Sequence, residues 1–96
     1  MSQSIKGKIL IIADEVQVSD KFKKREFIIQ TDEKYPKKIC FQLINDRVDL
    51  IDPYMEGETV LVEYNPESKE SNNRWFTNLT AWKIEKQHYN QDEPNF

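Results

Sequence analysis

The chain is poor in the residues that most chemistries need. Its 96 residues include one cysteine, Cys40, and one histidine, His88. A single thiol allows no intramolecular disulfide, and nothing in this usage implies an oxidising compartment. Neither residue has sequence partners for a metal site or a nucleophile–base pair, so no metal, cofactor or catalytic residue is expected. Two glycines, Gly7 and Gly57, are too few for a phosphate-cradling loop. No run approaches the ~20 apolar residues of a membrane span. The apolar stretch in "MSQSIKGKIL" is too short for a signal peptide and has no small-residue cleavage site after it. A cytoplasmic protein is the expectation. Positive charge is also short: 14 Lys and Arg stand against 17 Asp and Glu, for a net −3. That balance weighs against a strongly electrostatic nucleic-acid binder.

The charge is unevenly spread. Residues 1–47 carry ten Lys and Arg against seven Asp and Glu, and residues 48–96 carry four against ten. The first half therefore has the composition for a small cationic patch. The length suits one domain, which would bury about 65% of the surface its unfolded chain exposes.

Periodicity places the elements. "IKGKILIIADEVQV" reads as one long first strand, apolar at Ile5, Ile9, Ile11, Val16 and Val18. "REFIIQT" alternates Phe27, Ile29 and Thr31 against Glu26, Ile28 and Gln30, and "KKICFQLI" alternates Ile39, Phe41 and Leu43 against Cys40, Gln42 and Ile44. "DEKYP" between them is turn chemistry. In "NDRVDLIDPYM" the apolar spacing shifts to three and four at Val48, Ile51 and Met55, after Asn45 and Asp46 as candidate N-caps, which predicts a short helix stopped by Pro53. Gly57 breaks the chain before "TVLVEY", where Val60, Val62 and Tyr64 share a face. "NPESKESNN" reads as a polar loop, "RWFTNLTAWKIEK" as the last strand and 87–96 as a flexible polar tail after a domain at 1–86.

Three strands, a short helix and two strands describe an all-β protein with one short helix, a five-stranded Greek-key barrel of the OB type. The succession "GKI", "REFIIQT", "KICFQLIND", "EGETVLVEY" and "RWFTNLTAWKIE" resembles bacterial single-stranded DNA-binding proteins across nearly the whole chain. It is more closely similar to a family of small bacterial OB-fold proteins known as a domain of unknown function, in which segments like "VSDKFKKREF" and "FTNLTAWKIE" recur. The resemblance implies single-stranded DNA, or RNA, as a partner, little sequence preference, no catalysis, and a homo-oligomer that lengthens the binding track and covers Ile28 or Leu61. The end "DEPNF" only partly matches the acidic Pro-Phe tip of such proteins, whose long linker is missing; it is either a partner-recruiting tip or a frayed end.

Single-strand binding needs cations along the phosphate path and aromatic faces for the bases. An OB barrel offers the exposed face of its second and third strands, between two flanking loops. The convergent set is then Lys21, Phe22, Lys23, Lys24 and Arg25 from one side, Arg74 and Trp75 from the other, with Gln30 and Gln42 on the floor. Lys34, Lys37 and Lys38 extend the track. The competing reading of Lys21 to Arg25 is a solvated hairpin corner that keeps an edge from pairing, with Phe22 folded back as a lid on the core. Trp75 and Trp82 stand seven apart and face opposite sides unless a bulge intervenes; Trp75, beside Arg74, is the one expected outside, and Trp82 and Tyr64 are assigned to packing. The adjacent carboxylates Asp14/Glu15, Asp32/Glu33 and Asp92/Glu93 lie at turns or ends and form no acid–base pair. The rival function is a protein-interaction or assembly module of the same fold, in which a basic and an acidic face meet.

Overall fold

A computed structural model describes residues 3–86. The six strands are β1 Gln3–Ile12, β2 Val16–Ser19, β3 Phe22–Thr31, β4 Lys38–Ile44, β5 Thr59–Ser71 and β6 Arg74–Lys86, with a 3-10 helix at Asn45–Ile51 between β4 and β5. The order across the sheet is β1-β5-β6-β4-β3-β2, and an additional pairing of β1 with β3 closes it into a ring. The expected long first strand is thus present in two pieces, β1 and β2, separated at 13–15. The expected tail at 87–96 lies outside the described residues.

The alternation of β3 and β4 holds residue by residue. Phe27, Ile29, Thr31, Phe41 and Leu43 are buried, joined by Ile9, Val60, Val62 and Ala81 from the neighbouring strands. Phe27 pairs with Phe41 across the ladder, their rings 5.4 Å apart and stacked, and Tyr64 meets Phe41 edge-on at 5.0 Å. Each large side chain taken fully from water contributes about 1.5–3 kcal/mol, so a one-residue slip that turned this face outward would cost several such terms at once. The helix plugs the barrel by burying Val48 and Ile51. Met55, expected to join them, is 67% exposed, because the chain leaves the helix at Asp52.

Two further expectations change, and one left open is decided. Asn45 is not the helix N-cap: that position is Ile44, and the Asn45 side chain accepts the Lys23 backbone N–H at 3.0 Å. "NPESKESNN" is not a loop but the outer part of β5, which turns at Asn72 and Asn73 (φ 53° and 65°) directly into β6. Two successive left-handed residues are the geometry of a tight two-residue hairpin. A bulge does intervene in β6, where Glu63 pairs with Lys83 and Tyr64 with Ala81, leaving Trp82 as the extra residue. Trp82 is half-buried, with Nε1 enclosed and lacking a hydrogen-bond partner among the described residues.

Two residues hold the closure. Gly7 pairs with both Val60 and Thr31, and a Cβ there would lie 2.7 Å from the Gln30 carbonyl oxygen and 2.8 Å from Ile29 Cδ1. Arg25 falls in phase with Phe27 and points to the inner side of β3. Its Nε donates to the Ala13 carbonyl at 2.9 Å, and Nη1 donates to Asp52 Oδ1 at 2.7 Å and the Val48 carbonyl at 3.3 Å. One guanidinium therefore ties the β1–β2 bend to the helix and its exit.

Gly7→Ala should destabilise the fold by about 1–3 kcal/mol, because the Ile29 side chain can move aside but the Gln30 backbone cannot; urea unfolding reads this as a lower midpoint at unchanged slope. Arg25→Ala should cost about 2–3 kcal/mol through lost charge-assisted hydrogen bonds. Arg25→Lys should recover little in the same assay, since an ammonium lacks the planar fork that reaches all three acceptors.

Candidate nucleic-acid interface

β3 divides the cations that surround Phe22. Successive side chains of a strand point to opposite faces, so Phe22, Lys24, Glu26, Ile28 and Gln30 share the outer face while Lys23 and Arg25 share the inner one. Arg25 is committed to the fold as described. Lys23 Nζ lies 3.7 Å from Glu15 Oε2. Lys21 and Lys23 line a shallow groove together with Gln17, Asp20, Asn45 and Asp46, which sets two carboxylates against two ammonium groups. Of the expected basic run, only Phe22, half-buried, and Lys24 stand on the face of Gln30 and Gln42.

That outer face is built as cross-strand rows. Lys8 of β1 pairs with Gln30 of β3, which pairs with Lys38 of β4, giving a row with a cation at each side. Next come Ile11, Ile28 and Cys40, then Glu26 and Gln42, then Lys24 and Ile44. Among the described residues neither Lys8 nor Lys38 makes an ion pair, and Lys24 approaches only Glu26, at 3.9 Å. Lys8 was not singled out in the sequence, although its place between Gly7 and Ile9 already set it opposite the core face. Beyond the row, the β3–β4 turn carries Tyr35, 74% exposed, with Lys34 Nζ 5.6 Å from its ring centre. The turn is held by Thr31, whose hydroxyl donates to Glu33 Oε2 at 2.6 Å and accepts the Lys37 N–H at 2.9 Å.

On the other side the sheet continues into an arm. β5 and β6 run past the barrel as a two-stranded ribbon, exposed throughout 65–78, and draw the molecule out to 56 × 28 × 24 Å. Gln42 Nε2 donates to Thr80 Oγ1 at 2.9 Å where β4 meets β6. The unbroken register from Thr80 to Arg74 then puts Asn78, Phe76 and Arg74 on the ribbon face that starts at this contact. Lys69 stands opposite Phe76, and the Arg74 guanidinium lies 5.6 Å from the Phe76 ring centre. Trp75, exposed as expected, alternates to the reverse face, where Glu70 is its partner. The structure thus brings Arg74 to the face of Gln42 and turns Trp75 away from it. The aromatic on that face is Phe76, 48% exposed.

The assembled surface offers cations, an apolar centre and flanking aromatic rings. Partial burial, then the charge of Glu26, push the Cys40 thiol up from its ordinary range against a smaller opposing effect of Lys24, which keeps it protonated and a poor nucleophile. Among the described residues no group of three His, Cys, Asp or Glu could hold a metal ion, and no helix is long and apolar enough to cross a membrane.

Comparison with solved structures places this architecture among known barrels. The mitochondrial single-stranded DNA-binding protein Rim1 of S. cerevisiae superposes with a TM-score of 0.75 at 16% identity, over 90% of this chain and 94% of that one. The N-terminal domain of PriB from Thermoanaerobacter tencongensis, solved as a dimer, gives 0.67 at 15% identity, over 92% and 97%. A small single-stranded DNA-binding protein from Streptomyces coelicolor gives 0.52 at 8% identity, over 91% and 94%. At these identities the likeness establishes the fold, an OB-type barrel. No curated protein matches the sequence. One family model does, over residues 4–85, and the chain therefore belongs to the family described as Domain of unknown function (DUF3127).

Proposed function

We propose that the protein is a non-catalytic module that binds single-stranded DNA or RNA across the outer face of β3 and β4 and along the adjoining face of the arm. The observation that carries this reading is the continuity of that face. It runs from Lys8, Gln30 and Lys38, through Gln42 and Thr80, to Phe76, Lys69 and Arg74. Cations at both ends suit a phosphate chain, and exposed rings at Phe76 and Tyr35 suit stacked bases. The fold it shares with Rim1 and the Streptomyces protein, both single-stranded DNA-binding by name, supports the reading. A homo-oligomer belongs to the same proposal: Val16 and Val18 lie about half exposed on β2, and a second copy over them would lengthen the track, whereas Ile28 stands within the binding face. The assembly-module alternative draws on the same exposed valines.

Titration with a thymidine oligonucleotide, followed by fluorescence anisotropy at several salt concentrations, tests the reading. Four phosphate contacts predict a log–log salt slope of roughly −3, at about −0.7 per contact. The outer-face triple change Lys8→Glu, Lys24→Glu and Lys38→Glu should abolish binding, whereas Lys21→Glu with Lys23→Glu should weaken it only slightly. Absence of binding at low salt would refute the proposal in favour of a protein partner. Phe76→Ala should weaken binding by about five- to 150-fold, given stacking of roughly 1–3 kcal/mol per base. Trp75→Ala, on the reverse face, should leave the same titration nearly unchanged.

A further inference from the structure

Glu26 is out of keeping with the face it occupies. It sits between the Lys8–Gln30–Lys38 row and Lys24, half exposed, on a surface otherwise suited to phosphate. Its contact with Lys24 Nζ at 3.9 Å is too long for a hydrogen bond, so the lysine leaves the carboxylate oxygens open as acceptors. Beside a phosphate such a group is repulsive. Beside the edge of a base it is an acceptor pair.

Glu26 also lines a cleft of about 240 Å³ at the foot of the arm, with Cys40, Phe41 and Gln42 on the barrel side and Thr77, Asn78 and Leu79 on the arm side. The Gln42 amide nitrogen donates one of its two hydrogens to Thr80, which leaves its carbonyl oxygen and a second N–H to other partners. The barrel wall therefore presents the Glu26 carboxylate, a pair of acceptors, with the Gln42 amide beside it. Unstacked bases are recognised on their Watson–Crick edges. Guanine carries adjacent donors there, N1–H and the N2 amine, which match the two oxygens of a carboxylate. Thymine and uracil carry one N–H between two carbonyl oxygens, so a carboxylate that accepts the N–H turns its second oxygen towards a carbonyl oxygen. Adenine and cytosine present one amine beside a ring nitrogen that is itself an acceptor.

We propose that this cleft is a base-selective subsite that takes one guanine, held by Glu26 through N1–H and N2–H, on a surface that otherwise binds single strands without regard to sequence. The proposal rests on the single-strand reading above and adds selectivity at one position. The same side chain then works in two directions, weakening non-specific binding by charge and favouring guanine by hydrogen bonding.

The experiment compares thymidine oligonucleotides carrying guanine, inosine or adenine at every third position, a spacing that prevents guanine runs, with plain oligothymidine, by anisotropy at fixed salt. Guanine should bind about tenfold tighter than thymine, as expected for one bidentate pair, with inosine, which lacks the N2 amine, in between. Glu26→Gln should remove the preference for guanine over inosine and thymine while binding oligothymidine as tightly as the wild type or tighter. An unchanged thermal midpoint in this surface variant would show that the fold is intact. Equal affinities for all four oligonucleotides, or full discrimination retained in Glu26→Gln, would overturn the inference and leave the single-strand reading standing. No binding by any of them would overturn both.

Discussion

The barrel depends on one strand serving two partners at once. β1 pairs with β5 from Gln3 to Lys8 and with β3 from Gly7 to Ile12, so the two ladders overlap at Gly7 and Lys8. At that crossing the Gln30 backbone comes so close that only a residue without a Cβ fits. Just beyond it the register slips between Ile9 and Ile11, and Leu10 becomes the extra residue of a bulge. A bulge bends its strand and sharpens the twist, and here the bend lets β1 reach β3. The Ile9 carbonyl accepts the Gly57 N–H at 2.7 Å and its N–H donates to the Glu58 carbonyl at 2.8 Å, so the second glycine, at φ 98°, anchors the start of β5 to the same place.

Once the ring is closed, strand parity decides what each charge can do. Arg25 and Lys24 are neighbours in sequence, yet one is a structural clamp 19% exposed and the other stands on the open face. The difference is the two-residue period of β3 and nothing in the chemistry of either side chain. A count of cations in 21–25 therefore overstates the positive charge any one face presents. With a net charge of −3 on the whole chain, any attraction for phosphate would have to come from a few outward lysines in rows, and a single carboxylate among them such as Glu26 would have weight in proportion.

The same period explains how far the sequence could be read. β3 and β4 each have one face on the core, so their apolar alternation is complete and was legible, as were the break at Gly57 and the packing of Tyr64. The arm was not legible as strand because neither of its faces meets a core. Asn65 to Ser71 alternates polar with polar, and the only signal was the Asn72–Asn73 pair, which suits a tight hairpin as well as it suits a loop. Without the hairpin there was no register, and without register the choice between Trp75 and Phe76 could not be made. Asn45 was misplaced for a different reason: it has the side chain of an N-cap, but Lys23, 22 residues earlier in the chain, claims its oxygen.

The arm raises its own question of stability. A lone two-stranded ribbon is marginal in water, and this one lacks a buried face from 65 to 78. What holds it is a set of cross-strand pairs: Ser68 with Thr77 by a 3.0 Å hydroxyl contact, Lys69 with Phe76, Glu70 with Trp75. Such pairs contribute about 0.2–1 kcal/mol each. Pro66 lies two positions beyond Tyr64, where the described pairing of β5 with β1 ends, so the missing N–H falls on an edge with no β1 partner and discourages another chain from adding there. The root of the ribbon is firmer, since Leu79 packs on the core and Thr80 is bonded to Gln42. A strand of nucleic acid lying from the barrel onto Phe76 and Arg74 would have to hold the ribbon in one position as well as contact it. Part of the contact energy is spent on that ordering, so affinity gained through the arm should fall short of what the same side chains would give on the rigid barrel. On the proposed reading the barrel would fix where the track begins, and the ribbon would trade strength of binding for reach.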